Sequence, residues 1–122
     1  MAALLVRFTQ SPYGNALSQD GLDFALAATN YGHEVKALFE NEGVLQLVKT
    51  DSIKGIKNHS KRLSSMPFFD IEDCYACTES AKALNVQSTL QNNLVADELT
   101  CQWVSVEEKL ALIESADHVV TF

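Results

Sequence analysis

The most specific chemical spacing in the chain is Cys74-Tyr75-Ala76-Cys77. Thiolate, not thiol, is the nucleophilic form of cysteine, and the unpaired N–H groups and dipole at the start of a helix favour it. An apolar strand reading ends at Ala76 and a helix-compatible run begins at Thr78, so Cys77 falls at such a junction, where α/β sheets collect ligands and reactive groups. Cys77 is therefore the candidate sulfur nucleophile, and Cys74, inside the strand, is the second candidate. The neighbouring carboxylates Asp70, Glu72, Asp73 and Glu79 oppose activation, because each raises the pKa of a thiol it faces. The competing reading makes both cysteines small apolar fillers, a common fate of free Cys.

Other chemistries fit the pattern less well. A zinc site needs two further ligands, and Cys101, His33, His59 and His118 occur singly with no second close pair. A thioredoxin-like dithiol places its nucleophile first, whereas here the better-placed residue is the second, which favours a thiol that carries a group. The turn Ser11-Pro12-Tyr13-Gly14 lacks both glycine patterns that bring backbone N–H groups onto a phosphate. Lys54, Lys57, Lys61 and Arg62 form a basic run that reads equally well as a docking surface for an acidic partner or RNA and as a solvated loop face. Trp103 stands alone and reads as a packing residue. No cofactor and no metal are expected.

The elements that must position these residues alternate. Ala2–Phe8 is a nearly continuous apolar run, the mark of a strand covered on both faces. After the Ser-Pro-Tyr-Gly turn comes a helix, with Ser18 as its cap, Asp20 and Asp23 near its positive end, and Gly32 as its left-handed stop. Val35–Phe39 reads as a second strand and Val44–Val48 as a short helix. The polar stretch 49–65 reads as surface, Phe68–Ala76 as a third strand, and Thr78–Leu84 as a short helix. Cys101–Val104 reads as a fourth strand, and Ser105 with Glu108 matches a capping box that opens a helix over Val106–Ser115. His118–Phe122 closes the pattern as a β-branched strand. Such alternation, with crossovers long enough for parallel pairing, predicts a three-layer α/β sandwich around a central, mainly parallel sheet of four to five strands.

The chain has 122 residues, enough for one domain with its own core, and 1–122 is read as a single domain. Nine Lys and Arg against sixteen Asp and Glu leave a net charge of −7, which disfavours direct binding to nucleic acid. The opening MAALLVRF lacks a basic leader and is too short to span a membrane, so a cytoplasmic location is expected, with free thiols.

Taken in order, Ser11-Pro12-Tyr13-Gly14, Asp20-Gly21-Leu22-Asp23, Gly43-Val44-Leu45-Gln46-Leu47, Phe69-Asp70-Ile71-Glu72 leading to Cys77, and Ala116-Asp117-His118-Val119-Val120-Thr121-Phe122 resemble the DsrE/DsrF/DsrH-like family. Within it they are most similar to the DsrF-like, TusC-type branch. The resemblance implies a small subunit assembled with TusB-like and TusD-like paralogues into a heterohexamer. That complex relays persulfide sulfur to a downstream TusE-like carrier for 2-thiolation of the tRNA wobble uridine, and DsrF-type homologues serve sulfur oxidation. It also implies that Cys77 occupies the position of the family's sulfur-carrying cysteine, which is established on the TusD or DsrE subunit. The alternative within the resemblance is a structural interaction subunit with inert cysteines.

Overall fold

The computed structural model describes residues 2–11, 16–47, 63, 65–71, 73–84 and 101–122. Its centre is β1 (Ala3–Phe8), flanked by β2 (Glu34–Phe39) and β5 (His118–Thr121), with β3 (Cys74–Cys77) and β4 (Cys101–Val104) extending the sheet beyond β2. The order is β4-β3-β2-β1-β5, and every pairing is parallel. Leu4, Leu5, Val6 and Phe8 are all buried, as a strand covered on both faces requires.

Helices make the outer layers. On one face α1 (Leu17–Asn30), a 3₁₀ segment (Asn41–Leu47), a second 3₁₀ turn (Met66–Phe69) and α2 (Thr78–Ala83) contribute Leu22, Ala25, Val44, Met66 and Ala81 to the larger core. There they meet Val6, Phe8, Ala37, Phe39, Cys74 and Ala76 of the sheet, and Phe8 stacks on Phe39 with ring centroids 4.8 Å apart. On the other face α3 (Val106–Ser115) covers Leu5, Leu38 and Val104 with Leu112 and Ile113. Full burial of each such side chain contributes about 1.5–3 kcal/mol before the entropy of ordering it.

Local signals explain most boundaries. Ser105 Oγ accepts from Glu108 N at 3.2 Å while Glu108 Oε1 accepts from Ser105 N at 3.1 Å, so the expected capping box opens α3. Past the end of α1, Gly32 takes φ +84°, a left-handed conformation that suits glycine. Three expectations need correction. Ser18 lies inside α1 and is not its cap, since the helix begins one residue earlier with Ala16 before it. The third strand does not start at Phe68: Pro67 pre-sets the helical φ of a 3₁₀ turn over Met66–Phe69, Asp70 ends it at φ +67°, and β3 begins only at Cys74. Leu63, within the polar stretch read as surface, is fully buried. The Pro12-Tyr13-Gly14 turn, the basic run 54–62, the expected helix stop at Asn85 and the segment 87–97 lie outside the described residues.

Candidate functional site

The site follows from where the chain changes faces. After β3 the chain enters α2 on the larger-core side, and after the adjacent β4 it enters α3 on the opposite side. Neighbouring strands whose connections diverge in this way leave a crevice at their carboxyl ends, which is where open α/β sheets bind and react. Cys77 ends β3 at that point, in register with Val104, the last residue of β4. It is also the N-cap of α2, with φ −76° and ψ 117° and no capping bond from its side chain.

A cleft of about 540 Å³ opens there, bounded by Asn41, Glu42, Cys77, Ser80, Leu84 and Lys109 among others. Its walls come from three segments. The 3₁₀ segment after β2 is tied to α2 by Asn41 N donating to Ser80 Oγ at 2.8 Å. The same segment is pressed against the end of β1: Gly43 lies so close that a Cβ there would stand 1.7 Å from the Phe8 carbonyl oxygen. Phe8 O meanwhile accepts from Glu40 N at 3.0 Å, so no side chain fits between the two. This close approach accounts for glycine at the head of Gly43-Val44-Leu45-Gln46-Leu47. Gln46, buried, donates from Nε2 to the Gln10 carbonyl at 2.9 Å and secures the segment to the chain leaving β1.

The third wall is α3. Its Lys109 reaches across the sheet end to Glu40, which follows β2 and is only 1% exposed. Arg7 Nη2 donates to Glu40 Oε1, and the Lys109 ammonium lies 3.3 Å from Oε2. Two cations thus offset the desolvation of one buried carboxylate. The resemblance and the cysteine spacing both missed this cluster. The signal available was a charge, Arg7, inside an otherwise apolar buried strand, followed by Glu40 directly after another.

The three cysteines part company. Cys77 is 1% exposed, belongs to neither apolar cluster and borders the cleft. Cys74 sits at the opposite end of β3, in the larger core, in register with Cys101 on β4. Its thiol pKa is pushed far up, first by the hydrogen bond shared with Cys101, then by burial, and further by the charge of Asp73. Of the carboxylates weighed against Cys77, Glu79 lines the cleft and Asp73 lies at the other end of the strand. Trp103 is half-buried against the larger core. Among the described residues no group of three or more His, Cys, Asp or Glu is placed to hold a metal ion, and no helix is long and apolar enough to cross a membrane.

A three-layer α/β sandwich with a parallel five-stranded sheet and a thiol at its switch point defines a class, and comparison places the chain within it. Residues 2–122 match the DsrE/DsrF-like family, and the chain belongs to that family of sulfur-relay proteins. Among individual relatives, a protein described as "Protein TusC homolog" from Vibrio parahaemolyticus is 32% identical over 112 residues, covering 90% of this chain and 92% of that one. The crystal structure of the ychN protein from E. coli has the same fold, with a TM-score of 0.82 over the full length of both chains at 18% identity. A conserved protein of unknown function from Bacteroides thetaiotaomicron superposes with a TM-score of 0.61 at 14% identity, over 98% of this chain and 95% of that one.

Proposed function

We propose that this chain is a TusC-like subunit of a sulfur-relay complex, built with TusB-like and TusD-like paralogues, that passes persulfide sulfur toward 2-thiolation of the tRNA wobble uridine. The observation that carries this reading is the end-to-end likeness to a TusC homolog, with Cys77 at the crevice of the sheet. In the transfer, the Cys77 thiolate attacks the outer, sulfane sulfur of a donor persulfide. The donor's S–S bond breaks, the donor leaves as a thiolate, and Cys77 becomes the persulfide, so one sulfur atom moves with no external oxidant or reductant. Attack by the next carrier's thiolate on the outer sulfur of Cys77 returns it to thiol. Such chemistry needs mutual docking of two proteins more than a deep pocket, and the net charge of −7 suits contact with proteins rather than with the RNA itself.

Deleting the gene should abolish wobble-uridine 2-thiolation, and the chain should co-purify with the two paralogues. Nucleoside analysis that finds 2-thiouridine intact in the deletion strain would sink the reading. The 1% exposure of Cys77 favours a second reading, in which the chain is an interaction subunit with inert thiols that supports a neighbour's cysteine. Native alkylation separates the two, because an inert Cys77 stays unlabelled until the protein unfolds.

A further inference from the structure

The relay chemistry leaves two sulfurs unused. Cys74 opens β3 and Cys101 opens β4, and the parallel pairing puts them directly in register. Both side chains belong to the larger core, so they leave the sheet on the same face, and their thiols share a hydrogen bond. Neighbouring strands lie about 4.7–4.9 Å apart, inside the roughly 4.4–6.8 Å between Cα atoms that a disulfide spans. Cys77 is nearer in sequence but worse placed. It sits three residues further along β3, about 10 Å away in an extended strand and on the strand's other side. The partner that the fold gives Cys74 is therefore on β4 and not within its own C-x-x-C spacing.

The two thiols differ in access. Cys74 is 1% exposed, whereas Cys101 is 8% exposed and lies on the outermost strand at its end of the described sheet, where local opening is easiest. We propose that Cys74 and Cys101 form an oxidation site, which a hydroperoxide converts into a reversible disulfide that pins β4 to β3. Cys101 reacts first. Its sulfur takes one oxygen from the peroxide, the O–O bond breaks, and Cys101–SOH forms with release of water, or of an alcohol from an organic hydroperoxide. The Cys74 sulfur then attacks that sulfur, the S–S bond forms as the S–O bond breaks, and the hydroxyl leaves as water with the Cys74 proton. The thiol pair loses two electrons, and the hydroperoxide accepts them. A direct link between adjacent parallel strands holds its Cβ atoms farther apart than the roughly 3.8 Å a relaxed disulfide prefers, and a strained bridge is readily reduced. A dithiol reductant therefore restores both thiols.

The test uses full-length protein and hydrogen peroxide, in native buffer and in urea. Remaining thiols are alkylated after unfolding, and bridged peptides are mapped by mass without reduction. Native protein should lose about 2 Da, yield the Cys74–Cys101 bridge, keep Cys77 as an alkylated thiol, and return to its starting mass with a dithiol reductant. In urea, loop closure favours the nearby Cys74–Cys77 pair, so the ratio of the Cys74–Cys101 bridge to the Cys74–Cys77 bridge should be about tenfold or more higher in native buffer. An equal ratio in both would mean chance closure and overturn the proposal. So would native protein that keeps all three thiols, passes directly to sulfinic acid, or links through Cys101 to a second chain. Cys101→Ala should abolish the native loss of about 2 Da, and an undiminished loss would overturn the pairing. Amide exchange at Gln102, Trp103 and Val104 should slow about tenfold in the bridged protein and recover on reduction, and unchanged exchange would overturn the pinning of β4. The wild-type peptide map decides the question even if the variant does not fold, and no outcome bears on the sulfur-relay reading.

Discussion

The two ends of β3 carry the same side chain in opposite circumstances. At the start of the strand, Cys74 is packed into the larger core, hydrogen-bonded to Cys101 and held neutral. Three residues on, Cys77 lies outside both apolar clusters and borders a cleft with a lysine in its wall. Side chains alternate along a strand, so positions three apart face opposite ways, and the strand's end adds the divergence of α2 and α3. The end of the strand a thiol occupies thus sets its surroundings, apolar core at one end and cleft at the other. A C-x-x-C spacing alone does not distinguish a redox dithiol from a carrier beside a filler.

The widest separation of the two ends should come from removing each sulfur in turn. Cys77→Ser should abolish the about 32-Da adduct formed with a persulfide donor, whereas Cys74→Ala should load as the wild type does. Loading that survives in Cys77→Ser would reverse the assignment. Next in size is the support of the Cys77 end by the 3₁₀ segment. Gly43→Ala forces a Cβ onto the Phe8 carbonyl and should cost about 3 kcal/mol, read from the urea midpoint at unchanged slope. A loss below about 1 kcal/mol would mean that the segment yields freely and does not fix the cleft wall.

The smallest effect tests the Cys74 end. Its thiol stays protonated in the folded chain well above the ordinary thiol range, while the unfolded chain releases that proton near pH ~8.5. Above that pH the folded state binds more protons than the unfolded state. This contribution to stability is therefore complete below pH ~8.5 and falls as pH rises, by at most about 1.4 kcal/mol per pH unit. Cys74→Ala should make the decline between pH 8.5 and 10 shallower, as measured by denaturant unfolding across about that range. An unaltered slope would mean that Cys74 titrates freely and that the two ends of β3 are more alike than their packing implies.

Features legible in the sequence are those whose physics is local. Ser105 and Glu108 reach each other within one turn, Gly32 answers a single φ, and the apolar run of β1 needs only its own pattern to read as a two-sided strand. The approach to β3 was not legible, because Phe68–Ile71 is as apolar as a strand and only Pro67 and the left-handed Asp70 turn it into a 3₁₀ segment. Cys77 was placed from its junction alone. Arg7, Glu40 and Lys109 were not, since they meet only when β1, β2 and α3 assemble, and no spacing along the chain encodes that meeting. The same holds for the pairing of Cys74 with Cys101, which is a product of strand register.

The pairing of β1 with β5 reaches beyond the native state. Residue 3 is bonded to residue 117 through Ala3 N to Asp117 Oδ2 and Asp117 N to Ala3 O, both at 2.8 Å, and β5 then follows β1 from Leu4↔His118 to Arg7↔Thr121. During synthesis β1 therefore emerges well before its partner and keeps one edge of its backbone unpaired until residues 118–121 have been made. Loop closure over such a separation is slow, and an open apolar edge is a template for other chains. A chain truncated before residue 118 should therefore be more prone to aggregate through β1 than the full-length protein.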